Sequence, residues 1–343
     1  VRFGHAFNGN TTMRCMFATK PLRSQPNLLT LIAGDAVYHD DNAEWKLGDR
    51  AYAGVVGVHY TTDKKSFGLL TSLRTQTDRL DTLHPAQKKT TLDVLILDGY
   101  WENTLSLWNQ TLRWSGEGAF IVGKTNRPYL EETYESGATV QALGGVTRLE
   151  SDLEWARLAF ELGYASGDND PTDSVMRTFN FNSSYGVGLI LIDHVMPLLT
   201  ARSVDRIDDQ SLLDVTPPGL RFTVNQGQLS ANSYLNPSIH FGASRGLYLD
   251  LAYFYFVSTA SLNDLYQSNL YGGYTINHGG YSDPGRHLGQ EINARLGYRY
   301  FWAHKPIDTQ SLDLNIEGGT FLPGSALKGL DDQPIYCLQI NAR

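Results

Sequence analysis

The most informative feature of this 343-residue chain is the alternation of apolar and polar side chains in residues 288–300, LGQEINARLGYRY. Leu288, Ile292 and Leu296 fall on one side of an extended chain, while Glu291 and Arg295 fall on the other side. Side chains of a strand point alternately to its two faces, so one face requires an apolar environment and the other requires water. The pattern predicts a strand in the wall of a transmembrane β-barrel.

The same alternation recurs along the chain and predicts fourteen strands. Most are long enough to cross a membrane, which takes about 9 to 11 residues, whereas soluble strands usually have about 5 or 6. The fold class is therefore predicted to be all-β, a transmembrane antiparallel up-and-down β-barrel of about 14 to 18 strands. The predicted strands are 1–8, 11–20, 27–38, 51–60, 64–76, 90–101, 104–114, 136–149, 154–165, 233–242, 246–258, 288–301, 311–321 and 335–343.

The predicted links alternate in length, as in outer-membrane barrels with short periplasmic turns and long external loops. Residues 119–122 are apolar, but a strand there would break this parity, so we assign them to a loop. The first link, Gly9-Asn10, is the one short exception on the external side. We expect a single domain over 1–343 in the bacterial outer membrane. Short links are predicted at 21–26, 61–63, 102–103, 150–153, 243–245 and 302–310, and long links at 39–50, 77–89, 115–135, 166–232, 259–287 and 322–334.

Segment 166–232 is too long for an ordinary loop. It contains the apolar sequence YGVGLILIDHVMPLLTA at 185–201. It can therefore form a long external loop, or fold into the pore as a constriction or plug. A second possibility is an extra hairpin, which would give sixteen strands with the same parity.

Charged side chains on the polar faces of the strands are the candidate pore lining, because rings of charge in a pore set its selectivity. We expect Arg157, Arg295 and Arg299 to favour anionic solutes. The alternative is that arginines and carboxylates pair across neighbouring strands and brace the wall. The candidate pore-lining residues are Arg14, Arg74, Arg157, Glu161, Glu291, Arg295, Arg299, Asp313 and Glu317, with Asp93 and Asp250 among the other carboxylates on these faces.

An acidic turn follows the strand predicted at 154–165. Asp168, Asp170 and Asp173 lie within six positions, as carboxylates of a calcium-binding loop can. The spacing and the terminal glutamate of the helix-loop-helix calcium site are missing, so a solvated acidic turn is the favoured alternative. An external-loop calcium ion is the one cofactor that the sequence suggests.

Catalysis and nucleic-acid binding find no support in the sequence. Residues 242–246 match the G-x-S-x-G nucleophile motif by letters, but they join two predicted strands, whereas that motif requires a strand-to-helix turn. The net charge is −8 and no basic cluster of the kind that binds nucleic acid is present. We therefore expect neither an enzyme nor a nucleic-acid partner.

Three stretches resemble the alginate-export family of bacterial outer-membrane porins. They are ELGYASGDNDPTD (161–173), LGQEINARLGYRYF (288–301) and NIEGGTFLPGSA (315–326). The resemblance implies a large barrel that passes anionic polysaccharide through an arginine-lined constriction. Arg157, Arg295 and Arg299 lie in or next to these stretches, whereas the many acidic residues of this lumen depart from the family pattern.

The functional expectation is an outer-membrane channel for passive passage of hydrophilic solutes, including export of an anionic poly- or oligosaccharide. Its expected partners are membrane lipid, lipopolysaccharide, the solute and a periplasmic or secretion protein. One rival is a barrel that serves as a sheath or scaffold for a secretion or redox partner. The other is a secreted carbohydrate-binding β-sandwich.

Overall fold

A computed structural model of the chain shows an all-β protein with almost no helix. The longest regular elements are strands, and the α-helix α1 (Leu265–Leu270) is short. Among the described residues no helix combines the length and the hydropathy needed to cross a membrane. The structure describes residues 11–40, 43–78, 90–107, 110–126, 137–169, 173–182, 185–199, 230–242, 246–271, 276–283, 285–301, 311–329 and 333–342.

The strands follow one another around a single sheet in chain order, each antiparallel to its neighbours. The short strand β9 is the exception, because it lies beside β7 in parallel orientation and β10 pairs directly with β8. A β-sandwich would need two separate sheets, so this rival is excluded. The strands are β1 (Thr11–Thr19), β2 (Leu28–His39), β3 (Arg50–Thr61), β4 (Lys65–Asp78), β5 (Thr90–Leu107), β6 (Gln110–Thr125), β7 (Ala138–Asp152), β8 (Ala156–Ala165), β9 (Val175–Met176), β10 (Asn232–Gly242), β11 (Gly246–Ser258), β12 (His287–Phe301), β13 (Ser311–Pro323) and β14 (Ile335–Ala342).

Most predicted strands are confirmed to within a few residues, but the predicted turn at 102–103 is wrong. β5 continues to Leu107 and β6 begins at Gln110. Residues 119–122, which we assigned to a loop, therefore lie in the middle of β6. Short and long links still alternate, because this turn lies later in the chain than predicted and no turn is added. The predicted strand 1–8 and the Gly9-Asn10 hairpin lie outside the described residues.

The two faces of the sheet have opposite character, and strand β8 shows this directly. Leu158, Phe160 and Leu162 are 40%, 43% and 43% exposed, whereas Ala159 and Glu161 between them are 8% and 4% exposed. β12 has the same inversion from Ile292 to Tyr300. The predicted outward position of Leu288 is wrong, because the register between β11 and β12 shifts there and Leu288 is 2% exposed, within the buried apolar cluster. The apolar side chains thus lie on the open outside and the polar ones on the covered side, the reverse of a soluble protein.

The covered side is occupied by residues 185–199, which contain a π-helical turn (Leu191–Val195). Leu189 to Ile192 are at most 2% exposed and pack against residues of β10 to β13 such as Phe254 and Phe321. We call the face that they contact the inner face. In the described part of 166–232 no hairpin joins the sheet as two additional membrane-length strands. Residues 200–229 lie outside the described residues, so an extra hairpin there stays a prediction.

The sheet curves around its inner face. A single cavity is lined by Glu150 of β7, Arg157 of β8, His240 of β10 and Asp313 of β13. In a flat sheet these strands would lie roughly 24 Å apart, at about 4.8 Å per neighbouring pair. Curvature of this kind is that of a barrel wall, as the sequence predicts.

The connections also alternate as predicted between the two ends of the sheet. The strand ends that flank links 20–27, 62–64, 108–109, 153–155, 243–245 and 302–310 lie at one end of the sheet, which we call the short-link end. The strand ends that flank links 40–49, 79–89, 126–137, 166–231, 259–286 and 324–334 lie at the other, the long-link end.

The exposed apolar face leads to a test on strand β8. Phe160→Arg places a charge at the middle of the outward face and should destabilise the lipid-embedded protein by about 2 to 4 kcal/mol. Tyr164→Arg, at the end of the same strand and on the same face, should cost roughly 0 to 1 kcal/mol. Urea titration of the protein folded in lipid vesicles measures both; equal losses would contradict the assignment of this face to lipid.

Candidate functional site

The candidate site is the inner face of the wall together with the segment packed on it. Charged residues on this face are brought together by strand register, because residues paired across antiparallel strands present side chains to the same side. Carboxylates outnumber arginines among them. The inner-face arginines of the described strands are Arg14, Arg74, Arg113, Arg148, Arg157, Arg295 and Arg299, and the carboxylates are Asp35, Asp78, Asp98, Glu102, Glu117, Glu150, Asp152, Glu161, Asp250, Glu291, Asp313 and Glu317.

Glu291 of β12 holds segment 185–199 in place. Its carboxylate accepts the backbone N–H groups of Leu189 (2.5 Å), Ile190 (3.1 Å) and Leu191 (3.0 Å). The amide of Asn293 adds a fourth hydrogen bond, at 2.7 Å. Glu291 is fully buried, and a buried carboxylate is tolerated only when several donors replace its water.

Gly188 makes this contact possible. Its φ of +76° lies in the left-handed region, and a Cβ placed there would come within 2.7 Å of the Glu291 carboxylate. Glycine has no Cβ and adopts a positive φ readily, so the backbone turns here and points successive N–H groups at one carboxylate.

Glu161 of β8 forms a second anchor for the same long connection. It accepts hydrogen bonds from the hydroxyls of Tyr234 (2.7 Å) and Tyr185 (3.2 Å) on one oxygen. Its other oxygen accepts Arg148 Nη1 at 3.0 Å. Arg148 also donates to Glu150 at 2.8 Å, so this arginine is shared by two carboxylates.

The predicted pore-lining residues of β12 and β13 form an ion-pair ladder. Arg295 donates to Glu317 at 2.9 Å and lies 3.5 Å from Asp250. Arg299 donates to Asp313 at 2.7 Å, and its guanidinium lies over the ring of Tyr248, 5.3 Å from the centroid. Each of these guanidiniums therefore shares its charge with an adjacent carboxylate.

The remaining predicted arginines are likewise paired with carboxylates. Arg14 forms two hydrogen bonds of 2.7 Å with Asp35, and Arg74 donates to Asp40 at 2.5 Å. Arg157 contacts Asp152 at 2.5 Å across the turn between β7 and β8, and it lines the same cavity as Arg295 and Arg299. These ion pairs are the contacts expected if arginines and carboxylates brace the wall. A role of the arginines in solute selectivity stays a prediction.

Asp93 is on the wrong face for a pore-lining carboxylate. It is exposed beside Leu95 and Leu97, and its partner in register is Lys124 of β6. It lies near the long-link end of β5, where an outward charge reaches the membrane surface and is tolerated.

The acidic turn after β8 contains its own cation. Arg177 Nη1 donates to Asp173 at 2.8 Å and lies 3.5 Å from Asp168. The hydrogen bond to Asp173 raises the pKa of Arg177. Asp170 lies outside the described residues, and within those ranges no group of three metal-ligating side chains occurs. A calcium ion at Asp168, Asp170 and Asp173 stays a prediction.

Several important inner-face residues were missed by the sequence analysis. Arg148 and Tyr234 were inside predicted strands, but their partners depend on register. Glu117 was missed because we ended its strand at 114. Residues 243–245 lie outside the described residues, but a strand flanks them on each side, since β10 ends at Gly242 and β11 begins at Gly246.

No family model matches the chain, and no curated protein matches it. Among solved structures, OccK11 (OpdR) of Pseudomonas aeruginosa is similar at 10% identity and a TM-score of 0.46, covering 100% of this chain and 73% of that one. OprD of the same organism has 10% identity and a TM-score of 0.34, covering 97% and 92%. The NanC porin has 9% identity and a TM-score of 0.30, covering 85% and 92%. TM-scores below 0.5 are too low for these similarities to assign a family or a function to this chain.

The Glu291 anchor gives a direct prediction. Glu291→Gln replaces a carboxylate oxygen by an NH₂ group that cannot accept the segment's N–H groups, which should lower the free energy of local opening by about 2 to 3 kcal/mol. Hydrogen exchange of residues 189–191 should then become roughly 30- to 150-fold faster. Glu317→Gln is the matched control, since Glu317 is equally buried but pairs with Arg295. Equal exchange in the two variants would contradict the anchor.

Proposed function

We propose that the protein is a passive channel of the bacterial outer membrane for hydrophilic solutes. The observation that carries this proposal is the inverted wall, with exposed leucines and phenylalanines outside and covered carboxylates and arginines inside. A soluble protein would lose stability by exposing such a surface, whereas lipid removes that cost. The polar inner face then provides the water-compatible path that a solute needs.

Aromatic side chains near both strand ends support the membrane location. Trp101 and Trp114 contact each other edge to face towards the short-link end, and Trp155 in a turn stacks on Phe241. Exposed tyrosines lie near strand ends on the same outer face; they are Tyr298 and Tyr300 at the short-link end, and Tyr38, Tyr52, Tyr164 and Tyr336 at the long-link end. Aromatic belts at the two interfaces are typical of membrane barrels.

Segment 185–199 is the proposed constriction. It narrows the space beside β10 to β13, and its anchors at Glu291 and Glu161 keep it on the wall. By link length, segments 166–232 and 259–287 are proposed to be external and turns 150–153 and 243–245 periplasmic.

The resemblance to alginate-export porins implies an anionic poly- or oligosaccharide as the solute. An anionic poly- or oligosaccharide would need unpaired arginines, but Arg157, Arg295 and Arg299 each have a carboxylate partner. Pairing lowers the field that such an anion would feel, so anionic polysaccharide is the weaker candidate. Lipid and lipopolysaccharide are the proposed contacts of the outer face, and a secretion partner is the proposal for the scaffold alternative.

Conductance is the test of the channel proposal. Purified protein that shows heat-modifiable gel mobility should produce discrete current steps in planar bilayers and should make liposomes permeable to small neutral sugars. Glu291→Gln should increase the step size relative to Glu317→Gln, because it loosens the constriction. Folded protein that inserts without any conductance would contradict the proposal and favour a scaffold.

A further inference from the structure

A second cavity lies on the inner face between β5, β6, β7 and the long connection. Its volume is about 390 Å³, which lies in the size range of small-ligand pockets. Asp98 of β5 and Glu117 of β6 line one side, and Phe179, Phe181 and Tyr185 line the other. Apart from Tyr185, which also donates to Glu161, these residues belong neither to the anchors nor to the ladder.

The charge of this cavity differs from that of the rest of the wall. Elsewhere the inner-face carboxylates near the segment meet arginines or backbone donors, as Glu161 and Glu317 meet Arg148 and Arg295. Asp98 and Glu117 are diagonal neighbours on the inner face of β5 and β6 and line the same cavity, and across the described ranges no lysine or arginine forms an ion pair with either. Two carboxylates side by side repel, and a cation between them relieves that repulsion.

The aromatic side of the cavity suits the same ligand. Phe181 stacks on Tyr185 with 5.0 Å between ring centroids, and Phe179 contacts Phe181 edge to face at 5.3 Å. The faces of aromatic rings attract ammonium and guanidinium groups. Gly144 permits this arrangement, since a Cβ there would come within 2.2 Å of the Phe179 ring.

We infer that the lumen prefers cations, and that Asp98 and Glu117 determine this preference by holding a passing organic cation, an ammonium or guanidinium, against the rings of Phe179, Phe181 and Tyr185. This inference rests on the proposed channel function. The excess of carboxylates over arginines along the whole inner face acts in the same direction, because the paired arginines leave the remaining carboxylates to set the sign of the field.

The first measurement is the zero-current potential of the channel between unequal KCl solutions. The wild type should be more permeable to K⁺ than to Cl⁻. Asp98→Asn with Glu117→Gln should reduce this permeability ratio by about twofold or more, since both substitutions remove charge and keep size. Asp93→Asn is the matched control, because it removes a carboxylate of the same strand from the outer face and should leave the ratio unchanged.

The second measurement uses argininamide as the probe. Added to the wild type, it should reduce the K⁺ current, and the concentration for half-block should rise about tenfold in the Asp98→Asn, Glu117→Gln variant. Phe181→Leu should weaken the block, because it removes a π face that would contact the cation and removes no charge. Heat-modifiable mobility of each variant confirms folding.

The outcomes separate the two proposals. Folded wild-type protein without conductance would overturn the channel proposal and this inference with it. A conducting channel that prefers Cl⁻, or a ratio that the double substitution leaves unchanged, would overturn the inference alone. If argininamide blocks the Asp98→Asn, Glu117→Gln variant and the Phe181→Leu variant as strongly as the wild type, this cavity is not the cation site and the inference is likewise overturned.

Discussion

The structure depends on one constraint, the reversal of the usual distribution of apolar and polar side chains across a curved antiparallel sheet. Along β8, leucine and phenylalanine side chains are open on one side while Glu161 is buried on the other. In water this arrangement would forfeit the hydrophobic stabilisation of folding, which is about 25 cal/mol for each Å² of buried apolar surface. In a bilayer, lipid covers the apolar outer face. The charged groups of the inner face still need hydrogen-bond or ion-pair partners.

That interior charge explains most of the other features. A carboxylate on a covered face must find donors, and the wall supplies them in two ways. Across neighbouring strands the donors are arginines, as Arg295 is for Glu317. At Glu291 they are backbone N–H groups of a segment distant in sequence, so satisfying one buried charge also places the constriction. Asp98 and Glu117, which interact with each other, are where we expect an external cation to serve the same need.

Local periodicity was sufficient to predict the all-β fold and the facing of β8 and of most of β12, because alternation with period two is visible within one strand. It placed Leu288 on the wrong face, because the register between β11 and β12 shifts there. It failed at β6, where Gly116, Gly118 and Gly123 interrupt the apolar pattern. We also placed the preceding turn too early, so a strand at 119–122 seemed to break the alternation of short and long links. The candidate site was predictable only in part. Arg295 and Arg299 were identifiable as inward charges, but their pairing with Glu317 and Asp313 depends on register, and the Glu291 anchor joins residues too far apart for any local pattern to show.

The most direct test of the inverted wall is a nitroxide scan of residues 157–164 on β8 in lipid vesicles, with collision rates measured for oxygen, which concentrates in lipid, and for a water-soluble nickel chelate. The account predicts that labels at Leu158, Phe160 and Leu162 collide mainly with oxygen, while those at Arg157, Ala159 and Glu161 do not. Accessibility that varies without period two, or oxygen collisions concentrated at Arg157, Ala159 and Glu161, would contradict it.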